Sequence, residues 1–478
     1  MSPLADVGRR AGGLLAALLA ALSSGCASVS SEPAFAPVSA LAAQRLDRQV
    51  RQVVTDNEAA ALAQMIGQVL RQPLQADDAV QIALLNHRGL QAAYWQVGIA
   101  QSELVQAGRL RNPSLGFQRS GGGGALDIER SVTLNLASVL LAPLATRIEQ
   151  GRFEQTWLLV AGQMLDHAAA TRRAWFEAVA AQQARLYALQ VHRAAAASAA
   201  LTERMANAGN TNALELARER LFRAEAAAAV VRADQRALAA REALTRLMGL
   251  WGAAAADYVL PQRLPDLPAA PLELPDAERI AVRERLDIRA AQSAARHTAA
   301  ALGLSRTTGF INVLDLGYLR KSADGHSTGG YAISLELPLF DWGTARVAKA
   351  EATYRQALEQ VAQTAVAARS EARESYLDYR SAYDLATRYR DEVIPLRKKI
   401  ADETGLRYNG MLISVFELLA DAREQAAAVS SAIEAYKQFW IAHTRLEAAL
   451  GGRLLDHPSS PPPSPSPSPS PAPGAPPP

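Results

Sequence analysis

The sequence predicts a mainly α-helical protein with a small β part, built from two internal repeats, long helical hairpins and four strands per chain. Three observations predict this fold. From about Thr344 to about Glu403 the chain has no glycine and one proline, Pro395, which favours a rod roughly 90 Å long. Short runs of alternating apolar and polar residues precede this rod and a similar one in the first half. The elements of the first half recur about 200 positions later.

The composition excludes several classes of protein. Among 478 residues, 50 are Lys or Arg and 47 are Asp or Glu, so the sequence pI near 9.0 indicates no basic surface for nucleic acid. The single cysteine, Cys26, excludes an internal disulfide framework. We therefore expect no nucleic-acid partner and look for a separate role for Cys26.

The N-terminus has the pattern of a secretory signal. Arg9 and Arg10 precede an apolar run, Ala11–Leu22, that is too short to cross a bilayer as a helix. It ends in Leu-Ser-Ser-Gly before Cys26, which resembles a bacterial lipoprotein cleavage box. The resemblance implies a lipidated Cys26, and Ala27 after it implies the outer membrane. An ordinary signal peptide cut near Ala27 remains the alternative.

The repeat is recognised by matching elements at a nearly constant spacing. Ile82–Ala93 aligns without a gap on Ile280–Ala291, 198 positions later; the alternating run Val132–Leu136 matches Ile333–Leu337, and the turn glycine Gly209 matches Gly410, both 201 positions later. We predict a signal peptide at 1–25, a tether at 26–75, a first repeat at 76–250, a linker at 251–275, a second repeat at 276–452 and a disordered Pro/Ser-rich tail at 453–478.

Each repeat is predicted to read helix, strand pair, long helix, turn, long helix. The predicted strands are Ser114–Arg119, Glu129–Leu136, Asn312–Arg320 and Tyr331–Leu337, and the long helices begin near Arg147 and Thr344. Four strands leave two free edges, which a membrane does not tolerate, so several chains must pool their strands.

The strands have one apolar and one polar face. Val132, Leu134, Leu136, Ile333, Leu335 and Leu337 fall on the first, and Thr133, Asn135, Ser334 and Glu336 fall on the second. In a barrel these faces would meet lipid and a water-filled pore. A soluble sheet with one buried face shows the same alternation and stays open as an alternative.

Three local segments, in this order and spacing, resemble the TolC family of outer-membrane efflux channels over roughly residues 75 to 451. They are Arg285–Ala291, the junction Leu337–Gly343 and Arg407–Gly410 with Leu418–Arg423 behind it. The resemblance implies a homotrimer with a twelve-stranded transmembrane β-barrel and a periplasmic α-helical barrel, docked to a periplasmic adaptor (membrane fusion protein) and an inner-membrane pump. It implies a passive conduit for efflux or type I secretion, lipid-anchored and inserted in the Gram-negative outer membrane.

The resemblance implies roles for two groups of residues. The strand-to-helix junction is assigned to Pro338, Phe340, Asp341 and Gly343, and the first-half counterpart, Ala137–Pro143, lacks that motif. The periplasmic tips, with gate and adaptor contacts, are assigned to Glu203, Arg204, Gly209, Arg407, Tyr408, Asn409 and Gly410. That these are only solvated turn residues is the alternative.

No other chemistry is indicated. The seven His residues form no His-Glu-x-x-His pattern, and no Gly-x-Ser-x-Gly elbow occurs, so we expect no metal, no cofactor and no enzyme activity. The alternative function is a non-channel structural coiled-coil envelope lipoprotein or a periplasmic adaptor. The exported substrate, whether drug, metal ion or polypeptide, is not specified by the sequence.

Overall fold

Two units with the same order of elements follow one another in the computed structural model, which describes residues 32–122, 125–252, 258–308, 313–323, 326–336 and 340–452. Two helices precede them: α1 Glu32–Leu46 and α2 Asp56–Val69. The first unit comprises α3 Ala76–Asn86, α4 Arg88–Gly108, β1 Ser114–Gly122, β2 Ala125–Asn135, α5 Leu136–Asn207 and α6 Ala213–Met248. The second comprises α7 Ala277–Glu284, α8 Leu286–Thr307, β3 Leu314–Ala323, β4 His326–Leu335, α9 Thr344–Arg388, a π-helical turn Tyr389–Val393, α10 Ile394–Asn409 and α11 Val415–Ala449. The predicted fold class of two repeats with helical hairpins and four strands is confirmed.

The four strands form one antiparallel sheet in the order β1-β2-β3-β4. The central pair, β2 with β3, joins the two units and aligns Leu134 with Leu316. Strands β1 and β4 are the edges, and each has a neighbour on one side only. The sheet of one chain is therefore open.

The strands differ from their predicted bounds. β1 continues to Gly122 and β2 begins at Ala125, so most of the stretch 120–128 between the first two predicted strands is strand. Ladder hydrogen bonding satisfies the backbone of Gly121 and Gly122, which outweighs the weak strand preference of glycine. β4 likewise begins at His326. The residues at 123–124, 324–325 and 337–339, and with them Pro338 and Leu337, lie outside the described residues.

The first long helix begins eleven residues earlier than predicted. Leu136, assigned to a strand, and Ala137–Pro143, assigned to the junction, all lie in α5. The Asn135 side chain caps the helix by accepting a hydrogen bond from the Ser138 amide at 2.6 Å. Pro143 lies within the helix. A capping residue at the strand end therefore decided the helix start.

The long helices pair into two antiparallel hairpins. α5 has 72 residues, which corresponds to about 110 Å. It turns into α6 at Gly209, whose φ of +74° requires a residue without a side chain. In the second hairpin the left-handed residue is Met411, at φ +57°, and Gly410 has a φ of −79°. Both predicted turns are present, but the second one differs in its backbone.

The short helices pack on the middle of α5, and the molecule is widest there. There Trp175 of α5 is buried and its indole N–H donates to the Leu74 carbonyl at 2.8 Å. His443 and Glu447 of α11 are also buried, and Glu447 pairs with Arg172 of α5 at 3.0 Å. The core thus ties the second hairpin to the first.

Candidate channel wall and helical tips

One face of the sheet carries a continuous set of apolar side chains. The register places directly paired residues on the same face, and these rows contain Leu115, Phe117, Val132, Leu134, Leu314, Leu316, Tyr318, Tyr331, Ile333 and Leu335. Within one chain this face is open: Tyr331 is 83% exposed and Ile333 is 73% exposed. A contiguous exposed apolar surface of this kind indicates an interaction with lipid or another protein.

The opposite face is polar. Asn135, Asp315 and Ser334 lie side by side across three strands, and Asn135 Nδ2 donates to Asp315 Oδ1 at 2.7 Å. Thr133 shares this face, and the Glu336 amide donates to the Val313 carbonyl just after β4. The register thus brings three predicted pore-facing residues together. That this face lines a pore stays a prediction.

Sequence reasoning missed other members of the polar face. Lys321 Nζ lies 2.9 Å from Asp127 Oδ2 across β2 and β3. Both residues are near the hairpin ends of the strands, in positions outside the predicted strands. The period-two alternation would have found them if the strands had been extended through the glycines.

The second strand-to-helix junction is held by a local turn. Asp341 Oδ1 accepts a hydrogen bond from the Gly343 amide at 2.8 Å. Gly343 has a φ of +73° and immediately precedes α9, which explains why glycine stands there. Phe340 is 100% exposed, and Trp342 is also exposed. The two junctions therefore differ: β2 continues directly into α5, whereas a turn at Asp341–Gly343 precedes α9.

The predicted tip residues lie at the ends of the hairpins. Glu203 is in the last turns of α5 and pairs with Arg220 of α6, Oε1 to Nε, at 3.0 Å. Among the residues that the structure describes, the side chains of Arg204, Arg407, Tyr408 and Asn409 form no hydrogen bond or ion pair, so the structure does not link the two tips through them. Next to them Met411 is 93% exposed, and Leu412 is also exposed.

A buried link between the two hairpins was missed by sequence reasoning. Glu219 of α6 is 2% exposed and accepts from Ser198 Oγ of α5 at 2.6 Å. Its other carboxylate oxygen accepts from the Arg423 guanidinium of α11, which also stacks 4.5 Å from the Phe222 ring centroid. Arg423 belongs to a segment that the sequence singled out. Nothing in the sequence pairs it with Glu219, which is 204 positions away.

Two histidines meet where α3 joins α4. The rings of His87 and His167 are 4.2 Å apart, centroid to centroid. His87 Nδ1 accepts from the Leu90 amide at 3.2 Å and so caps α4, and His167 Nε2 is 2.9 Å from the Leu247 carbonyl. Burial lowers the pKa of both, and that of His167 is lowered further by His87. Both are therefore neutral in the folded chain near neutral pH.

Two searches of the described residues had no positive result. No group of three or more His, Cys, Asp or Glu side chains is placed to hold a metal ion. None of the described helices has both the length and the apolar stretch that crossing a bilayer as a helix requires.

Comparison with solved structures finds several outer-membrane channels. CusC, which forms a transmembrane channel, superposes with a TM-score of 0.67 at 18% identity, covering 79% of this chain and 92% of that one. The outer-membrane protein VceC of Vibrio cholerae gives 0.65 at 16%, covering 82% and 97%. The open state of the outer-membrane channel MtrE of Neisseria gonorrhoeae gives 0.64 at 19%, covering 79% and 89%.

The likeness lies in the structure, because no family model and no curated protein sequence matches the chain. It extends over most of each chain. The protein therefore has the fold of these outer-membrane channels.

Proposed function

We propose that three copies of this chain form a passive channel across the Gram-negative outer membrane, as the outer component of a tripartite efflux or type I secretion system. One observation carries this proposal. A four-stranded sheet with two free edges exposes an apolar face on one side and a polar face on the other, and its strands continue into helical hairpins. The fold shared with outer-membrane channels supports it.

The free edges explain why several copies are needed. Strands β1 and β4 each leave a row of backbone N–H and C=O groups without a ladder partner. In hydrocarbon each such group costs several kcal/mol, so β1 of one copy would pair with β4 of the next until the ring closes. Three sheets of four strands make a twelve-stranded barrel.

The dimensions suit a bilayer. The strands have 9 to 11 residues, the length at which a tilted strand crosses the hydrocarbon layer. The apolar rows would face lipid, and Thr133, Asn135, Ser334 and Glu336 would line the pore. The hairpins would extend into the periplasm, because α5 is far longer than any membrane is thick.

A groove on the helical part offers a surface for the neighbouring copy. It has a volume of about 1170 Å³ between α4 and α5 and contains the exposed side chains of Trp95 and Ile99. Apolar side chains at an open groove are stabilised when a partner covers them. We infer that the adjacent protomer packs here.

Two further roles complete the proposal. The tips, with Glu203, Arg204, Gly209, Arg407, Tyr408, Asn409 and Gly410, would form the gate and the docking surface for a periplasmic adaptor, which connects to an inner-membrane pump. The exposed Met411 and Leu412 are a further apolar contact for that adaptor. Cys26, which lies outside the described residues, would carry the lipid anchor.

The alternatives are less well supported. A structural coiled-coil lipoprotein or an adaptor would leave the exposed apolar face of the sheet without a function, and the solved relatives are channels. An enzyme would need a catalytic group, and those relatives are not enzymes.

The test uses two adjacent residues of β4 that point to opposite faces. We replace Ser334 or Ile333 by Cys and record conductance in planar bilayers before and after adding a negatively charged, thiol-specific sulfonate reagent. In the Ser334→Cys protein the reagent should change the current stepwise, and in the Ile333→Cys protein it should have no effect, because that thiol faces lipid. Absence of conductance, or the reverse pattern of reactivity, would refute the proposed channel.

A further inference from the structure

Three arginines interrupt the apolar face of the sheet near its hairpin end. Arg130 and Arg320 are direct cross-strand partners on β2 and β3, in the same alternation as Val132 and Tyr318. Arg119 of β1 is paired with Ile128, one diagonal step from Arg130, and all three side chains are exposed. The arginine cluster, defined as Arg119, Arg130 and Arg320, thus shares a face with the proposed lipid-facing rows.

Among the residues that the structure describes, the cluster has no balancing acid on its own face. Among the described residues none of the three arginines forms an ion pair; Arg320 Nε donates to Ser327 Oγ at 2.7 Å. The nearby carboxylates, Asp127 and Glu129, alternate to the opposite face. Like charges directly opposite each other destabilise a sheet. An anion from outside the chain would therefore relieve the repulsion between Arg130 and Arg320.

The cluster marks one border of the apolar band. No charged residue occurs between Arg130 and Arg147, so the part of β2 after Arg130 and the first turns of α5 are uncharged. Beyond the cluster only the last residues of the hairpins remain. If the hairpin ends face the exterior, this border lies at the level of the outer-leaflet head groups.

The residue type specifies the anion. A guanidinium presents a planar set of donors that matches a phosphate in two hydrogen bonds, and it is more weakly hydrated than an ammonium group. We propose that the arginine cluster binds the phosphate groups of outer-leaflet membrane lipids and so fixes the depth of the barrel. This proposal rests on the proposed function, because only an inserted barrel brings the cluster to the head groups.

The experiment measures lipid binding by the full-length trimer in detergent. Native mass spectrometry and thermal unfolding are followed while a bisphosphorylated outer-leaflet glycolipid (lipid A), the same lipid without phosphates, or inorganic phosphate is added. The phosphorylated lipid should bind and raise the unfolding temperature, and the other two should not. In the Arg130→Gln, Arg320→Gln protein the affinity should fall about tenfold or more.

Two variants control for charge and for folding. Arg232→Gln removes an exposed arginine from α6 and should leave lipid binding unchanged. Arg130→Lys with Arg320→Lys keeps the charge and should lie between the wild type and the Gln variant. The proposal is overturned if the dephosphorylated lipid binds equally well, if inorganic phosphate alone gives the whole effect, or if the Gln variant binds as the wild type does.

Conductance of the same preparations separates the two proposals. A protein that forms trimers and conducts but ignores the lipid phosphates would overturn the lipid site alone. A protein that neither assembles nor conducts would overturn both.

Discussion

The two hairpins are built from duplicated sequence, yet only the first is continuous. α5 runs without interruption through its 72 residues, whereas its counterpart is divided into α9 and α10 by the π-helical turn Tyr389–Val393. The cause lies just beyond the turn, because Pro395 has no amide hydrogen and its ring crowds the preceding carbonyls. A π-helical turn adds one residue and relieves that crowding. The second hairpin thus has a weak point that the first one lacks.

The halves also differ where their short helices meet. His87, which caps α4, contacts a second histidine, whereas Arg285 at the matching position pairs with Asp287 at 2.7 Å and with Glu371 at 2.5 Å. The contact between the two histidines is neutral and titratable, whereas the ion pairs of Arg285 are charged over the whole physiological range. Duplication kept the backbone geometry while the chemistry diverged.

The largest effect is expected where the two hairpins are linked. Arg423→Met keeps the packing on Phe222 but leaves the buried Glu219 carboxylate with Ser198 as its donor. We expect a loss of roughly 3 kcal/mol in the free energy of unfolding and a higher single-channel conductance, because the tips are no longer tied. Calorimetry and bilayer recordings measure both.

The matched control for this link removes an exposed arginine. Arg220→Met breaks the pair with Glu203 and should cost about 1 kcal/mol or less. Adding Glu219→Gln to Arg423→Met should restore part of the stability, because the buried charge is gone. Equal effects of Arg423→Met and Arg220→Met would contradict a specific link between the hairpins.

The next largest loss of stability is expected at Gly249, the glycine that ends α6, and Gly252 three residues later serves as its control. A Cβ at Gly249, at φ +67°, would lie 2.9 Å from the Asn86 carbonyl oxygen and 2.9 Å from His87 Cα. Gly252 has a similar φ of +63° but open space around it. Gly249→Ala should therefore cost at least about 2 kcal/mol, and Gly252→Ala about 1 kcal/mol from backbone strain alone.

The same change in the second half refines the comparison. A Cβ at Gly451 would meet the flexible end of Arg45 at 2.8 Å and the Glu284 carbonyl oxygen at 3.0 Å. We expect Gly451→Ala to fall between the other two in thermal unfolding, because one of its neighbours can move. A Gly249→Ala protein as stable as the Gly252→Ala protein would show that Asn86 and His87 pack less tightly against Gly249 than these distances indicate.

A smaller effect is the dependence of stability on pH, which should arise from His87 and His167 in the first half. The pKa of His87 and that of His167 are lowered in the folded chain, so below about pH 6.5 the unfolded chain binds more protons than the folded one. Stability should therefore fall as the pH drops through that range. Unfolding temperatures between pH 8 and pH 5 measure the effect.

Substitutions assign this pH dependence. His87→Asn keeps a helix cap and removes one ring, so it should flatten the curve. His297→Gln, which changes a histidine with a lowered pKa elsewhere, should leave the part due to the pair intact. A curve unchanged by His87→Asn would place the dependence in another group.

The smallest effect concerns local opening. Amides around Tyr389–Val393 should exchange with deuterium faster than those of the matching stretch of α5, Ala188–His192, because the π-helical turn has weaker hydrogen bonds. Pro395→Ala should slow exchange at the turn and leave the α5 stretch unchanged. Equal exchange in both stretches of the wild type would show that the break has no dynamic consequence.

These comparisons also show what a sequence reveals and what it hides. Alternation from Val132 to Asn135 and the glycine-free helix after Thr344 predicted the elements, since both patterns are local. The predicted start of the first long helix at Arg147 was wrong, because the cap by Asn135 acts through one hydrogen bond that composition does not reveal. The Glu219 to Arg423 link and the arginine cluster depend on tertiary contact or register, so no spacing in the chain indicates them.

The central claim is that open sheets from three chains close into one barrel above a hollow helical tube. Electron cryomicroscopy of the full-length protein in lipid nanodiscs tests it most directly. We predict three chains around a water-filled hole, with β1 of each copy hydrogen-bonded to β4 of the next and Ile333 facing lipid. A particle in which the apolar face of the sheet is covered by protein, or in which the hairpins pack without a hole, would contradict the claim.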